Sequence, residues 1–355
     1  MKNHSSTYSL HQVVPRFGRA KVLVIGDLML DEFVWGRVSR ISPEAPVPVV
    51  WVQSESVMPG GAANVANNIR ALGGHVGLVG VVGDDRWGAT LRADLAARQI
   101  EISGIVTSDR PTTVKTRVIA HHQQVVRVDR EQRPPLSAGV VEQLIEVIKS
   151  RLPEVDALVI EDYGKGVITR ALLESVIPLA RAQHKIITVD PKQEHFDLYR
   201  GVTALTPNRV EAGEAVGREL EHDAAIDQAG AEILQRLQCE SVLVTLGEDG
   251  MKLFRSGAAP LAIPTVAQEV FDVAGAGDTV IAAFTLALAS GATMEQAARL
   301  ANYAAGIVVG KLGVAVTTPS ELLARLAASA KTVPPPRPTP PGRPASRRRP
   351  LSRRR

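Results

Sequence analysis

The chain has 355 residues and a formal net charge of +4, with 45% hydrophobic and 22% charged residues, an ordinary soluble globular composition. Residues 331–355 hold one Lys and eight Arg and no acid. The rest carries 32 basic against 37 acidic residues, so the body has no basic bias toward nucleic acid. The single cysteine, Cys239, excludes an intrachain disulfide and a Cys-based zinc site, and a reducing compartment suits it.

Residues 1–19 read as a polar, flexible leader without the apolar core of a signal peptide. Residues 21–26 (KVLVIG) form a short β-branched apolar run of the kind found in buried strands, and similar runs recur at 76–82, 157–160, 186–189 and 242–246. Helix-like segments at 62–72, 86–98, 138–151 and 170–183 alternate with them. That alternation predicts an α/β fold with a mostly parallel sheet covered on both faces. Two regions break it. Residues 32–52 hold β-rich pieces separated by prolines, and residues 112–129 alternate apolar and polar on either side of HHQQ, which can turn a hairpin. Either they build a small β lid, about 32–53 and 112–130, or they add edge strands to the main sheet. His121 and His122 would point to opposite faces of a strand, a poor metal site. The body, 20–330, ends in helical segments at 277–289, 294–309 and 320–328. The Pro/Arg-rich tail, 331–355, lacks apolar periodicity and should be disordered. Its RRR clusters can touch nucleic acid or an anionic membrane, or simply be solvated. The longest greasy stretch, 280–289, is too short to span a bilayer. A cytoplasmic protein without membrane contact is the expectation.

The sharpest motif is FDVAGAGDTVIAAF at 271–284. Gly275, Ala276 and Gly277 let a backbone approach a ligand closely, and the helix that follows offers unpaired N–H groups to an anion. Asp278, in its first turn, can accept the proton of an attacking hydroxyl. Read alone, the string GAGD favours a capped helix after a tight turn, and the motifs around it shift that reading. Upstream, VMPGGAANVANNIRALG at 57–73 sets Gly60, Gly61 and Asn64 at a helix start, where amides and a carboxamide can meet sugar hydroxyls. GDLMLDEF at 26–33 places Asp27 and Asp31 after a strand, at the edge where α/β sheets bind ligands. Either carboxylate can accept from sugar hydroxyls. The chain contains neither a P-loop nor the protein-kinase signature set.

The order GGAAN, NRVE (208–211), VTLGEDG (244–250) and AGAGDT resembles the ribokinase-like (PfkB) carbohydrate kinase family over residues 20–328. GDLMLDEFVWGRVSRISPEAPVPVV, PTTVKTRVIAHHQQVVRVDRE and EDYGKGV resemble its D-glycero-β-D-manno-heptose-7-phosphate kinases. The resemblance implies a three-layer ribokinase-like sandwich with a β lid that often makes a homodimer. It implies ATP and Mg²⁺ as cofactors, with K⁺ in some members. Asp278 matches the catalytic base and Gly275, Ala276 and Gly277 the anion hole. Asn208 and Glu211 match the motif that organises nucleotide phosphates and Mg²⁺, Glu211 through water. Thr245, Gly247, Gly250 and Asn302 fall on the nucleotide side. Asp31, Gly60, Gly61 and Asn64 match sugar contacts, and Asp272 a monovalent-cation position. Lys165 and Lys192 match basic positions of the heptose kinases and, with Arg117, can neutralise a phosphate already on the substrate; taken singly, each also reads as a surface charge. Where the family has DTGAGD, this chain has DVAGAGD, so Val273 and Ala274 change the cation contacts. Relatives can carry a fused nucleotidyltransferase, and the Pro/Arg tail here implies the kinase step alone.

Overall fold

From Val22 to Gly26 every residue of the first apolar run is buried, as expected for a strand with both faces covered. The computed structural model describes residues 9–332 except 122, 133, 134 and 268. Helix α1 (Leu10–Val13) continues into a 3-10 turn, Val14–Arg19. Then come β1 (Lys21–Gly26), β2 (Leu28–Ile41), β3 (Pro48–Gly61), α2 (Ala62–Ala71), β4 (His75–Gly83), α3 (Arg86–Ala97), β5 (Glu101–Ser108), β6 (Thr113–Ala120), β7 (Gln123–Arg130) and α4 (Ala138–Arg151). The second half holds β8 (Ala157–Glu161), α5 (Arg170–Ala182), β9 (Ile186–Asp190), β10 (Ala204–Leu205), α6 (Arg209–Val216), α7 (Asp223–Leu237) and β11 (Ser241–Thr245). It closes with β12 (Met251–Arg255), β13 (Leu261–Ile263), α8 (Ala276–Ala289), α9 (Met294–Val308) and α10 (Pro319–Thr332).

The large sheet has nine strands in the order β13-β12-β11-β10-β9-β8-β1-β4-β5. Neighbours from β11 to β5 run parallel, while β12 and β13 are antiparallel additions. The chain leaves β1 toward β4 on one side and later returns to β8 on the other. The strand order therefore reverses at β1 and β8, the place where open α/β sheets open a ligand crevice beyond their carboxyl ends. One apolar layer packs α2, α3, α8, α9 and α10 on one face of this sheet, and a second packs α4, α5, α6 and α7 on the other. Helix α8 is buried at every position from Asp278 to Leu288, because its sequence is apolar all round.

The second sheet, of order β3-β2-β6-β7, decides between the two readings of the irregular regions: it is a separate small sheet. It is mixed, since β2 pairs antiparallel with β3 but parallel with β6. It is also wider than expected on one side, because β2 and β3 continue inward to Leu28 and Gly61.

The expected flexible leader is corrected over its described part. Residues 10–19 are helical, and Val13, Val14 and Phe17 are buried in the core. Their apolar spacing is too short to show periodicity in the sequence, yet their burial ties this segment to α10 and α8. Residues 1–8, His122 and the tail from 333 lie outside the described residues. Among the described residues no helix is long and apolar enough to cross a membrane.

Candidate active site

Asp278 sits in the first turn of α8, whose N-cap, Gly275, adopts the left-handed conformation at φ 74°. The side chain is buried and doubly held. Asn64 Nδ2 donates to one carboxylate oxygen at 2.6 Å, and the Tyr163 hydroxyl donates to the other at 2.8 Å. Burial raises the Asp278 pKa, and these two hydrogen bonds oppose the rise. A carboxylate held this way is a stronger proton acceptor than an exposed one, yet keeps a fixed direction. A third link fixes the frame: Thr279 Oγ1 donates to Asn68 Oδ1 at 2.9 Å, pinning α8 to α2.

The small-residue turn is asymmetric. The Ala276 N–H donates to the Val273 carbonyl at 3.2 Å, so Ala276 is already engaged, whereas the N–H groups of Gly275, Gly277 and Asp278 make no such bond among the described residues. A side chain added at Gly277 would meet nothing within 4 Å. That space is where a phosphoryl group can sit against the amides.

On one side of this mouth lies a cavity of about 570 Å³ lined by Thr245, Gly247, Gly250, Ala276, Gly277 and Asn302 among others, with apolar walls from Val270, Val280 and Val309. Thus four expected nucleotide-side residues converge there. Asn302 acts partly through the wall, donating to the Pro264 carbonyl at 2.8 Å. Asn208 lies next to β11 through a parallel bridge to Thr245, and it caps α6 in a reciprocal box with Glu211. Lys192 stands 3.7 Å from Glu211, and its stem lies beside Gly164, the neighbour of Lys165. Asp272 accepts the Ala274 N–H at 2.9 Å and thereby shapes the turn leading to α8.

On the other side, the small sheet brings up polar groups. Asp31, in β2, pairs with Arg117, in β6, at 2.5 Å. Gly60 lies tight against them: a side chain there would come within 2.8 Å of Asp31 Oδ2. Gly61 is the N-cap residue of α2 and holds Asn64 at the start of that helix. Lys165 pairs with Glu131 at 2.5 Å. Asp27 departs from the expectation of a sugar-hydroxyl acceptor. It is buried and takes three backbone N–H groups, from Tyr163, Lys165 and Val167, each at 3.0 Å. Its role is to shape the loop after β8. That loop is braced again by Asp162, which accepts the Gly164 N–H and the Tyr199 hydroxyl and pairs with His195.

Three residues at the heart of the site escaped the sequence reading. Glu161 and Asp190 end β8 and β9, and their carboxylate oxygens lie with one from Asp278 within 4.8 Å of one another. Both Glu161 oxygens are buried without a hydrogen-bond partner. Burial, then the charges of Asp190 and Asp278, push the Glu161 pKa well above the usual carboxylate range. Asp278 is already held by Asn64 and Tyr163, but the crowded carboxylates of Glu161 and Asp190, on which the charge of Glu211 also acts, fit a divalent cation such as Mg²⁺, whose charge would relieve their repulsion. The signal was present in the strings VIE and TVD: an acid at the carboxyl end of a buried parallel strand. Tyr163 is the third, inside EDYGKGV.

Solved structures share this fold. The phosphofructokinase-2 of Escherichia coli superposes with a TM-score of 0.73 at 22% identity, covering 88% of this chain and 99% of that one. A ribokinase of Arabidopsis thaliana complexed with ribose and ATP gives 0.68 at 21% identity, covering 86% and 98%. Fold and site together define a ribokinase-like sugar kinase. The chain belongs to the pfkB family of carbohydrate kinases, whose family model matches residues 19–321. Among curated relatives, the "Bifunctional protein HldE" of Desulfatibacillum aliphaticivorans is 44% identical over 322 residues, 90% of this chain and 66% of that protein. That of Geobacter metallireducens is 46% identical over 302 residues, 85% of this chain and 62% of its own length. The chain thus spans somewhat under two thirds of the length of these relatives.

Proposed function

We propose that the enzyme transfers the γ-phosphoryl of ATP to O1 of D-glycero-β-D-manno-heptose 7-phosphate, giving the 1,7-bisphosphate. The observation that carries a phosphoryl-transfer reading is the Asp278 carboxylate, held by Asn64 and Tyr163 at a helix mouth between the 570 Å³ cavity and the polar face of the small sheet. The choice of heptose is supported by the long strings quoted above, which resemble the heptose-7-phosphate kinases.

In this reading Asp278 takes the proton of O1 as O1 attacks the γ-phosphorus. The bond from that phosphorus to the β–γ bridging oxygen breaks, and ADP leaves with the electron pair. The amides of Gly277 and Asp278 face the charge on the group in transit. Thr245, Gly247, Gly250 and Asn302 shape the nucleotide site, with Asn208 and Lys192 near its phosphates. Asp31, Gly60, Gly61 and Asn64 bind the sugar. Glu161, Asp190 and Glu211 would hold Mg²⁺, directly or through water; when bound it neutralises nucleotide phosphate charge. K⁺ beside Asp272 belongs to the same reading; a phosphofructokinase-2 structure is described as "in complex with Potassium".

A cytoplasmic homodimer completes the reading. The small sheet leaves Trp51 75% exposed and Ile41 60% exposed, an apolar surface that a second copy would cover. A Trp51→Glu variant should then run as a monomer in light scattering; an unchanged mass would remove this contact. The main test measures ADP release with heptose 7-phosphate against ribose, fructose and their phosphates, with K⁺ exchanged for Na⁺ in parallel. Preference for an unphosphorylated pentose or hexose would defeat the heptose assignment.

A further inference from the structure

We propose that Lys115 binds the anionic group that the acceptor sugar already carries, and so sets the preference for a phosphorylated over an unphosphorylated acceptor. This rests on the kinase reading above.

Lys115 lies in β6, two residues from Arg117, so both side chains leave the same face of the small sheet. Its ammonium stands 5.4 Å from the centre of the Tyr163 ring, whose hydroxyl is bonded to Asp278. Cation and base are therefore neighbours of a single phenol ring. The cations and acids around it are already matched. Asp31 pairs with Arg117, Glu131 with Lys165, and Asp129 with Arg127. The Lys115 ammonium makes no hydrogen bond or ion pair among the described residues, only the ring contact.

Lys115 lies across the ladder from Asp31 and Asp129, but each of these acids is already paired with another cation, so the charge of this half-buried ammonium is incompletely matched until a further anion arrives. Burial is the main influence lowering its pKa below the usual lysine value; Lys165 and Arg117 add to this, and Asp31 and Asp129 oppose it. An ammonium with three free donors suits a phosphate better than a neutral hydroxyl. The anion it awaits belongs to the acceptor rather than to the nucleotide. Lys115 is not among the residues that line the nucleotide cavity, and it stands on the small sheet, beside the sugar-side residues Asp31 and Arg117.

The test compares kcat/KM for two acceptor pairs, heptose with heptose 7-phosphate and fructose with fructose 6-phosphate, in the wild type and in Lys115→Met. The phosphorylated member of the better-used pair should lose about 10- to 100-fold, chiefly through KM, as expected for removal of one charge-assisted contact. Its unphosphorylated partner should lose less than about threefold, and Lys115→Arg should keep most of the discrimination. Equal losses on both members would overturn the proposal and assign Lys115 to the transferring phosphoryl group or to the fold. Unchanged discrimination would overturn it too. Should the Met variant not fold, Lys115→Gln is read in the same way. A wild type that prefers fructose 6-phosphate defeats the heptose assignment alone and leaves the Lys115 comparison readable. A wild type that turns over no sugar defeats the kinase reading, and this one with it.

Discussion

The two sides of Asp278 are built from different materials. The side proposed for the nucleotide is a cavity walled by backbone, glycines and valines at the nine-stranded sheet. The side proposed for the acceptor is a thin four-stranded sheet whose outer strand, β7, is exposed along its whole length, and it contributes charged side chains. A shape made by backbone changes little when single residues change. A charge pattern on a thin sheet can be rewritten one side chain at a time. In the proposed reading, nucleotide recognition is therefore the half set by backbone, and acceptor choice is the adjustable half.

The harshest way to probe that contrast is at the shared centre. Asp278→Asn should fold and bind both substrates while turnover drops on the order of 100-fold or more; near-normal turnover in a single-turnover assay would remove it as the base. Glu161→Gln comes next. It should lower turnover at fixed Mg²⁺ by at least about 10-fold and shift the Mg²⁺ titration upward. A coincident titration would detach this carboxylate from the metal.

Gly250→Ala attacks the nucleotide wall alone. Gly250 has φ 87°, and a side chain there would fall 2.2 Å from the Ile263 carbonyl oxygen. The variant should lose about 1–3 kcal/mol of stability and raise KM for ATP, with acceptor preference intact. If acceptor preference moved with it, the two halves would not be independent. Tyr163→Phe is the mildest. It removes one of the two hydrogen bonds to Asp278, worth about 1 kcal/mol and so roughly fivefold in kcat, with little effect on KM for ATP. An unaltered rate would mean that Asn64 alone fixes the carboxylate.

The sequence showed the parallel strands and covering helices because each is long enough to display its period. It showed the helix mouth because AGAGD leads directly into an apolar run. It did not show that Asp27 supports a loop instead of a sugar, since three backbone donors 136 to 140 residues away are invisible along the chain. Glu161 and Asp190 were legible only by position, at the ends of their strands. Lys115 was hidden for a different reason. In TTVKTRV it shares a face with Arg117, but only folding reveals that Arg117 has a carboxylate and Lys115 does not. Likewise the approach of Lys192 to Glu211 depends on which loops the sheet places side by side.

The clasp that Asp27 makes on residues 163–167 joins the first strand of the large sheet to a loop made long afterwards. During refolding, the phenol that bonds Asp278 cannot be in place until that distant closure has happened, and closures of such sequence separation are slow. Recovery of enzymatic rate after dilution from denaturant should consequently lag behind recovery of helical signal, making turnover a clock for the joining of the two halves of the chain.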